Sequence, residues 1–132
     1  MNIKFNKAHT TSGEEIKNLL SIHPNIFGDD RGFFFESWNQ KDWENILKTN
    51  NQSPVNFVQD NHSKSSKGVL RGLHFQKNPT PQGKLVRCIN GEIFDVIVDL
   101  RIKSCTFGKW SGVYLSQKNQ NELWIPEGFA HG

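Results

Sequence analysis

The sequence predicts an all-β domain, an antiparallel barrel or sandwich with one short helix near its front. Many short strand candidates follow one another at near-regular spacing, separated by turn residues, and this pattern is typical of sandwiches and barrels. One segment alone has the periodicity of a good helix. The 132 residues suffice for one domain, and four Trp and ten Phe supply bulky side chains for its core. We therefore expect residues 1–132 to form a single domain.

The front of the chain, residues 1–25, is polar and variable in character apart from one apolar patch. We interpret the patch as an edge strand after a mobile leader. The patch consists of Leu19, Leu20 and Ile22. A turn is expected at residues 28–30, where Gly-Asp-Asp occurs, and the aromatic run at 33–35 is more typical of a core than of a ligand platform.

The helix is expected from Asn39 to Lys48. Asn39 has a short polar side chain of the kind that caps the first turn of a helix. Three bulky side chains then fall on one face of the helix. They are Trp43, Ile46 and Leu47.

Strands are expected at 55–59, 69–75, 84–89, 92–100, 110–115 and 123–125. Asn90-Gly91 is the strongest two-residue hairpin signal, because both residue types tolerate a positive φ. We therefore expect the strands on either side of it to pair with each other.

The strand at 92–100 has two different faces. One face is apolar and carries Phe94, Val96, Val98 and Leu100. The other alternates apolar and acidic side chains, so we expect it to be partly solvated. It carries Ile93, Asp95, Ile97 and Asp99.

Composition excludes several classes of protein. The formal net charge of +3 is carried by scattered lysines, whereas a protein that binds duplex nucleic acid usually has a basic stripe. Cys88 and Cys105 lack a metal-like spacing, and we expect both to be reduced in a cytosolic interior. The first residues lack a long apolar run, so we expect a cytoplasmic protein without a signal peptide or membrane span.

The end of the chain predicts an unfinished barrel. Residues 123–126 have the pattern of a strand, and residues 128–132 open another element. Domains rarely stop where the chain re-enters the core. We therefore expect a C-terminally shortened chain that lacks the last part of its barrel.

Residues 70–84, LRGLHFQKNPTPQGK, contain the most informative chemistry. Arg71 and His74 are three apart, so on an extended strand they point to opposite faces unless Gly72 forms a bulge. An arginine can bind a phosphate, a histidine can move protons near neutral pH, and Lys84 can stabilise an oxyanion. The combination indicates proton transfer on an anionic substrate.

Other residues admit two interpretations. His74 and His131 are the better catalytic candidates among five histidines, since each lies near glycine and aromatic residues. Three histidines can hold a metal, but no His-x-His pair occurs, which disfavours a metal site. Arg31 and Arg71 precede glycines and suit an anion, although surface arginines beside turns are the commoner case. The residues alone thus indicate a small-molecule site with a basic and a protonic component.

Several blocks closely resemble the dTDP-4-dehydrorhamnose 3,5-epimerase family. They are 27–37, 56–63, 68–76, 82–87, 91–96, 106–110 and 123–132. The resemblance runs from about Ile26 to Gly132 with the blocks in family order, whereas residues 1–25 match poorly. It implies a cupin-type jelly roll that needs no metal or other cofactor and works as a homodimer with exchanged front strands.

The resemblance also implies a reaction and roles for named residues. The reaction is inversion of C3 and C5 of dTDP-4-dehydro-6-deoxy-glucose, on the way to dTDP-rhamnose. His74 resembles the base that takes the proton beside the C4 ketone, and Lys84 resembles the group that stabilises the enolate oxygen. Arg31 and Arg71 resemble diphosphate ligands. The remaining matches are Phe27 and Glu36 for the nucleotide end, and Gln59, Asn61 and His131 for the pocket around the sugar.

Two family groups have no counterpart in this sequence. The family's tyrosine acid and the aspartate that orients its base lie beyond the position of Gly132, and Tyr114 stands in a different block. We therefore expect this chain to bind weakly and to catalyse little. The alternatives are an inactive cupin that binds a nucleotide-sugar or a partner chain, and a related sugar ketoisomerase.

Overall fold

The computed structural model describes residues 3–132, which fold into nine strands and one helix. In chain order they are β1 (Lys4–His9), β2 (Glu15–His23), β3 (Phe27–Asp29), β4 (Gly32–Phe34), α1 (Gln40–Thr49), β5 (Lys84–Arg87), β6 (Glu92–Asp99), β7 (Trp110–Ser116), β8 (Glu122–Ile125) and β9 (Phe129–His131). All strand pairs are antiparallel, which confirms the predicted fold class.

Two sheets form the wall of the barrel. One has the strand order β1-β2-β8-β5 and the other has the order β7-β6-β9. A buried cluster lies between them, to which the first sheet contributes Ile16 and Leu123 and the second contributes Ile97 and Leu115. Strands β3 and β4 form a separate two-stranded hairpin.

Helix α1 packs against the other side of the first sheet. The side chain of Asn39 accepts hydrogen bonds from the amides of residues 41 and 42, so the predicted cap and helix are confirmed. Trp43 lies against Trp124 of β8, with ring centroids 5.1 Å apart and planes at 82°. The predicted apolar face, Trp43, Ile46 and Leu47, is buried.

The front of the chain differs from the prediction. Strand β1 occupies part of the expected leader, and β2 lies inside the sheet between β1 and β8 rather than at its edge. Ile16 and Leu19 face the same core although they are three residues apart, because Asn18 has a positive φ of 74° that shifts the alternation. Because of this irregularity, β2 lacks the strict alternation of apolar and polar residues that identifies a strand in a sequence.

The predicted strands at 55–59 and 69–75 are wrong. Residues 50–83 contain no strand, and His74 makes only an isolated bridge with His131. Side chains such as Val58 and Leu70 are 95% and 90% exposed, so they lack the burial that would hold a strand in a sheet.

The predicted Asn90-Gly91 hairpin is also wrong, although a turn is present. β5 pairs with β8, whereas β6 pairs with β7 and β9, so the turn joins two different sheets. Gly91 has the expected positive φ of 80°. The dipeptide therefore identifies the turn but not the pairing of its flanking strands. The strands predicted at 84–89, 92–100, 110–115 and 123–125 are confirmed with small changes in their bounds.

The faces of β6 are reversed relative to the prediction. The side with Asp95, Ile97 and Asp99 is buried, whereas Phe94 on the other side is 48% exposed. The two acids tolerate burial because each accepts hydrogen bonds from neighbouring side chains.

Cys88 is buried, whereas Cys105 is exposed. Both are free thiols. Within residues 3–132, no helix has the length and apolar character needed to cross a membrane.

Candidate functional site

Strand β9 places His131 against a buried acid. The Nδ1 atom of His131 lies 3.1 Å and 3.2 Å from the two carboxylate oxygens of Asp95 on β6. Asp95 is 4% exposed, so its carboxylate has few competing water contacts. A carboxylate oxygen accepts and Nδ1–H donates in this pair, so Nε2 is the ring nitrogen that Asp95 does not engage.

His74 lies directly across the backbone from His131. The amide of each residue donates to the carbonyl of the other, at 2.9 Å and 3.0 Å. The approach requires glycines, because a Cβ on Gly72 would lie 2.8 Å from the Cα of Gly132. Gly72 also has a φ of 112°, a conformation that L side chains rarely adopt. This close packing fixes the backbone of the exposed residue His74 beside β9.

Lys84 is the first residue of β5 and is half-buried. Burial lowers the pKa of Lys84, and the carboxylate of Asp95 partly opposes that change. Lys84 and His131 are therefore grouped around the same acid. A cation held in this way can stabilise a negative oxygen as charge develops on it.

The structure thus brings together three sequence candidates, His74, Lys84 and His131. Asp95 joins them and was not predicted, because an acid on an alternating strand usually faces solvent. The available signal was its position: Asp95 precedes Ile97 by two residues and so shares its buried face.

The loop that follows α1 carries three further candidate residues, Gln59, Asn61 and Arg71. Arg71 is exposed, and its guanidinium donates to the Ser65 hydroxyl at 2.8 Å and to the Lys64 carbonyl at 3.2 Å. Gln59 and Asn61 are exposed and share one hydrogen bond of 3.1 Å. These polar side chains occupy the same loop as His74, but they bond within that loop.

The hairpin of β3 and β4 carries Phe27 and Arg31. Two guanidinium nitrogens of Arg31 donate to the Asp29 carboxylate at 3.1 Å and 2.6 Å, and the arginine side chain is 90% exposed. These hydrogen bonds lower the pKa of Asp29. The predicted turn lies at Asp30 and Arg31, slightly later than expected.

The aromatic residues of this hairpin do not form a core. Phe27, Phe33 and Phe34 are 53%, 61% and 69% exposed, so the expectation that the aromatic run is buried is wrong for two of its members. The hairpin encloses an open concavity of about 410 Å³, lined by its own residues. Glu36 follows the hairpin, and its Oε1 is buried without a hydrogen-bond partner among residues 3–132.

Over residues 3–132, no group of three or more His, Cys, Asp or Glu side chains is placed to hold a metal ion.

Comparison with known proteins identifies the family. The family model for dTDP-4-dehydrorhamnose 3,5-epimerase matches residues 13–132, and so includes part of the front segment. The enzyme of that name from Shigella flexneri is 62% identical over 118 residues, which are 89% of this chain and 63% of that protein. The enzyme from Escherichia coli K12 is 60% identical over 118 residues, 89% of this chain and 62% of that protein. The chain thus spans 62–63% of the length of these relatives.

Solved structures agree. A dTDP-4-dehydrorhamnose 3,5-epimerase from Elizabethkingia anophelis has a TM-score of 0.84 and 44% identity, over 99% of this chain and 66% of that one. An epimerase from Legionella pneumophila, in complex with dTDP-4-keto-L-rhamnose, has a TM-score of 0.83 and 50% identity, over 97% of this chain and 63% of that one. This likeness confirms the cupin-type jelly roll.

Proposed function

The chain belongs to the dTDP-4-dehydrorhamnose 3,5-epimerase family, and we propose that it acts on dTDP-4-dehydro-6-deoxy-glucose as a 3,5-epimerase in dTDP-rhamnose biosynthesis. One observation carries the proposal: His131 bonds to the buried Asp95, the charge of Asp95 also acts on Lys84, and the backbone of His74 is hydrogen-bonded to that of His131. The arrangement combines a proton-transfer group with a cation, as removal of a proton beside a ketone requires.

In this mechanism His74 takes the proton from the carbon next to the C4 ketone. Lys84 stabilises the enolate oxygen that forms, and its lowered pKa is consistent with a poorly solvated ammonium whose charge is little screened by water. His131 lines the sugar pocket, with its ring orientation fixed by Asp95. Lys84 and His131 lie on strands, and His74 lies on backbone that is hydrogen-bonded to a strand.

Binding is assigned to the more exposed residues. Arg31 and Arg71 bind the diphosphate, since a guanidinium can donate two parallel hydrogen bonds to phosphate oxygens. Phe27 and Glu36 contact the nucleotide end. Gln59 and Asn61 contact the sugar. The exposure of Arg31 and Arg71 supports these roles, because both can exchange their present partners for a ligand.

Inversion also needs a proton from the opposite face of the sugar. Tyr114 is not placed to give it, because it lies opposite Phe94 on the outer side of β6 and β7, with ring centroids 4.7 Å apart. Asp95 and the site lie on the inner side of β6. Removal of the proton by His74 and its return from solvent would therefore exchange hydrogen without requiring Tyr114.

The proposal includes a cytoplasmic homodimer with exchanged front strands. The two free cysteines are consistent with a reducing compartment. In this structure β1 and β2 pair within their own chain, and the hairpin of β3 and β4 exposes its phenylalanines instead. Apolar side chains in this position favour contact with a second copy, and the hairpin is thus the proposed exchanged part.

The test is hydrogen exchange in deuterated water, with dTDP-4-dehydro-6-deoxy-glucose followed by NMR. We expect deuterium at C3 and C5 at the low rate that the sequence predicts for this chain, and we expect His74→Asn to lower that rate by about 100-fold or more while dTDP still binds. Tyr114→Phe is the matched control and should retain the exchange rate. Undiminished exchange in His74→Asn would refute the assigned base.

Other outcomes would identify the alternatives. Binding of dTDP without exchange in the unmodified chain would indicate a nucleotide-sugar-binding cupin. Migration of the ketone to C3 would indicate a sugar ketoisomerase. Either result contradicts the epimerase proposal.

A further inference from the structure

A buried carboxyl group in the first sheet lies outside the site described above. Glu122 opens β8, is 5% exposed, and makes no hydrogen bond or ion pair within residues 3–132. Buried carboxylates are normally paired with a donor or a cation. An unpaired one therefore favours its neutral, protonated form.

The strand register shows what surrounds Glu122. A row crosses all four strands of the sheet, with Phe5 on β1, Ile22 on β2, Glu122 on β8 and Arg87 on β5. Ile22 is buried and Phe5 packs against the same apolar cluster. The apolar face of α1 covers this cluster as well. Glu122 thus has apolar neighbours on one side and a single cation on the other.

The other charged groups nearby face elsewhere or are already engaged. On β1, Lys7 pairs with Glu15 at 3.1 Å, and Lys4 is exposed on the side opposite Phe5. His23 is adjacent to Ile22 but bonds to Asn6 and Asn121. The charged residues of α1 lie outside its buried stripe. They are Lys41, Asp42, Glu44 and Lys48.

We propose that the protonation of Glu122 controls how firmly β5, the strand that carries Lys84, pairs with β8. When protonated, Glu122 packs as a neutral member of the apolar row, and β5 stays fully paired with β8. When ionised, its carboxylate must move towards water and Arg87, which loosens the end of the β5–β8 ladder. Strand β5 is sensitive to this change because, in the described part of the chain, β8 is its one strand partner.

The electrostatic surroundings of Glu122 support this proposal. Burial raises the pKa of Glu122 to about 7, and the attraction of Arg87 only partly opposes that rise. In the unfolded chain the pKa is near 4.5, so the folded state holds more protons between the two values. The stability from neutral Glu122 is therefore complete below about pH 4.5 and lost as the pH rises through about 7.

The test compares thermal melting at pH 5.5 and pH 8.5. We expect the melting temperature of the unmodified chain to be lower at pH 8.5 by roughly 5 °C more than that of Glu122→Gln, which cannot ionise. Glu127→Gln, an exposed acid close by, is the control and should keep the pH dependence of the unmodified chain. Arg87→Met should move the transition to higher pH and enlarge the total loss of stability, because the carboxylate then loses the cation that favours its ionised form.

A second measurement locates the effect. Hydrogen exchange in residues 84–87 should be faster at pH 8.5 than the intrinsic pH effect requires, and Glu122→Gln should remove this excess. If Glu122→Gln does not fold, Glu122→Met serves in its place, since Met fits an apolar row. An equal pH dependence in the unmodified chain and the folded variant would overturn the proposal.

Discussion

Two Asp-x-Arg motifs in this molecule make the same local contact in opposite surroundings. At the end of β6, the amide and two guanidinium nitrogens of Arg101 donate to Asp99, each at 3.0 Å. In the hairpin of β3 and β4, the same three nitrogens of Arg31 donate to Asp29. The Asp99 side chain is fully buried, whereas that of Asp29 is 50% exposed.

The surroundings give the two motifs different roles. Asp99 also accepts from the hydroxyls of Ser104 and Thr106, at 2.6 Å and 2.7 Å, and the guanidinium of Arg101 lies 4.5 Å from the ring centroid of Phe129. This network anchors a loop to the strand that carries His131. Among the described residues Arg31 lacks such a network, and its side chain is 90% exposed. The Asp-x-Arg spacing thus determines which hydrogen bonds form, whereas burial determines how much they stabilise the fold.

Of these substitutions, Asp99→Ala should cause the largest loss of stability. Removal of the carboxylate leaves Arg101 and two hydroxyls without their acceptor, which should cost about 3–5 kcal/mol of unfolding free energy. Asp29→Ala removes the same contact at the surface and should change the unfolding free energy far less, because water screens an exposed ion pair. Denaturant unfolding of both variants measures the two losses of unfolding free energy. Equal losses would contradict the role assigned to burial.

Arg31→Ala should act on binding rather than on stability. Loss of a charge-assisted pair with a diphosphate should weaken dTDP binding by about 1.5–3 kcal/mol. Arg71→Ala should do the same, and both losses should shrink in salt, which screens the charges. Calorimetric titration with dTDP at two salt concentrations gives the answer. Unchanged affinity in both variants would place the diphosphate elsewhere.

Acid should weaken the buried motif at very low pH. Burial alone would raise the pKa of Asp99, but hydrogen bonds from Arg101, Ser104 and Thr106 outweigh it and lower the pKa from 3.8 to about 2. The ionised group therefore stabilises the fold above about pH 4, and that contribution is lost as the pH falls through about 2. The effect should be smaller than that of Asp99→Ala, because protonation leaves the side chain in place.

The melting temperature of Asp99→Asn against the unmodified chain, from pH 5 to pH 2, isolates this contribution. The difference between the two proteins should narrow as the pH falls. A constant difference would show that the charge of Asp99 is not what holds the loop.

Phe34→Ser should have the smallest effect on the fold. Phe34 is 69% exposed, and surface substitutions of this kind usually change stability by less than about 0.5 kcal/mol. The same variant should weaken self-association if the hairpin meets a second copy, which sedimentation equilibrium can measure. A large loss of stability in dilute monomer would mean that the hairpin packs on the body of its own chain.

The sequence predicts local structure where the signal is local. The capping side chain of Asn39 and the spacing of Trp43, Ile46 and Leu47 suffice for α1, because both act within a few residues. The partner of a strand is not a local property. The Asn90-Gly91 turn has the expected conformation, yet its flanking strands pair with distant strands in two different sheets.

The candidate site shows the same limit. His74, Lys84 and His131 follow from their residue types and from the resemblance, and the structure groups them. Asp95 was missed because the residue that it bonds to, His131, lies far along the chain. Segments 55–59 and 69–75 of the exposed loop were predicted as strands because their apolar residues satisfy β propensity without being buried.

The strand order also constrains when the site can form during synthesis. Strand β5, which carries Lys84, finds its partner only when β8 has emerged, and β2 near the beginning of the chain pairs with that same strand. Contacts between distant parts of a chain form slowly, since a long loop must close before they are made. A nascent chain that has not yet reached β8 therefore holds Lys84 on an unpaired strand. Synthesis must therefore reach β8, at Glu122–Ile125, before Lys84 has the strand partner that positions it.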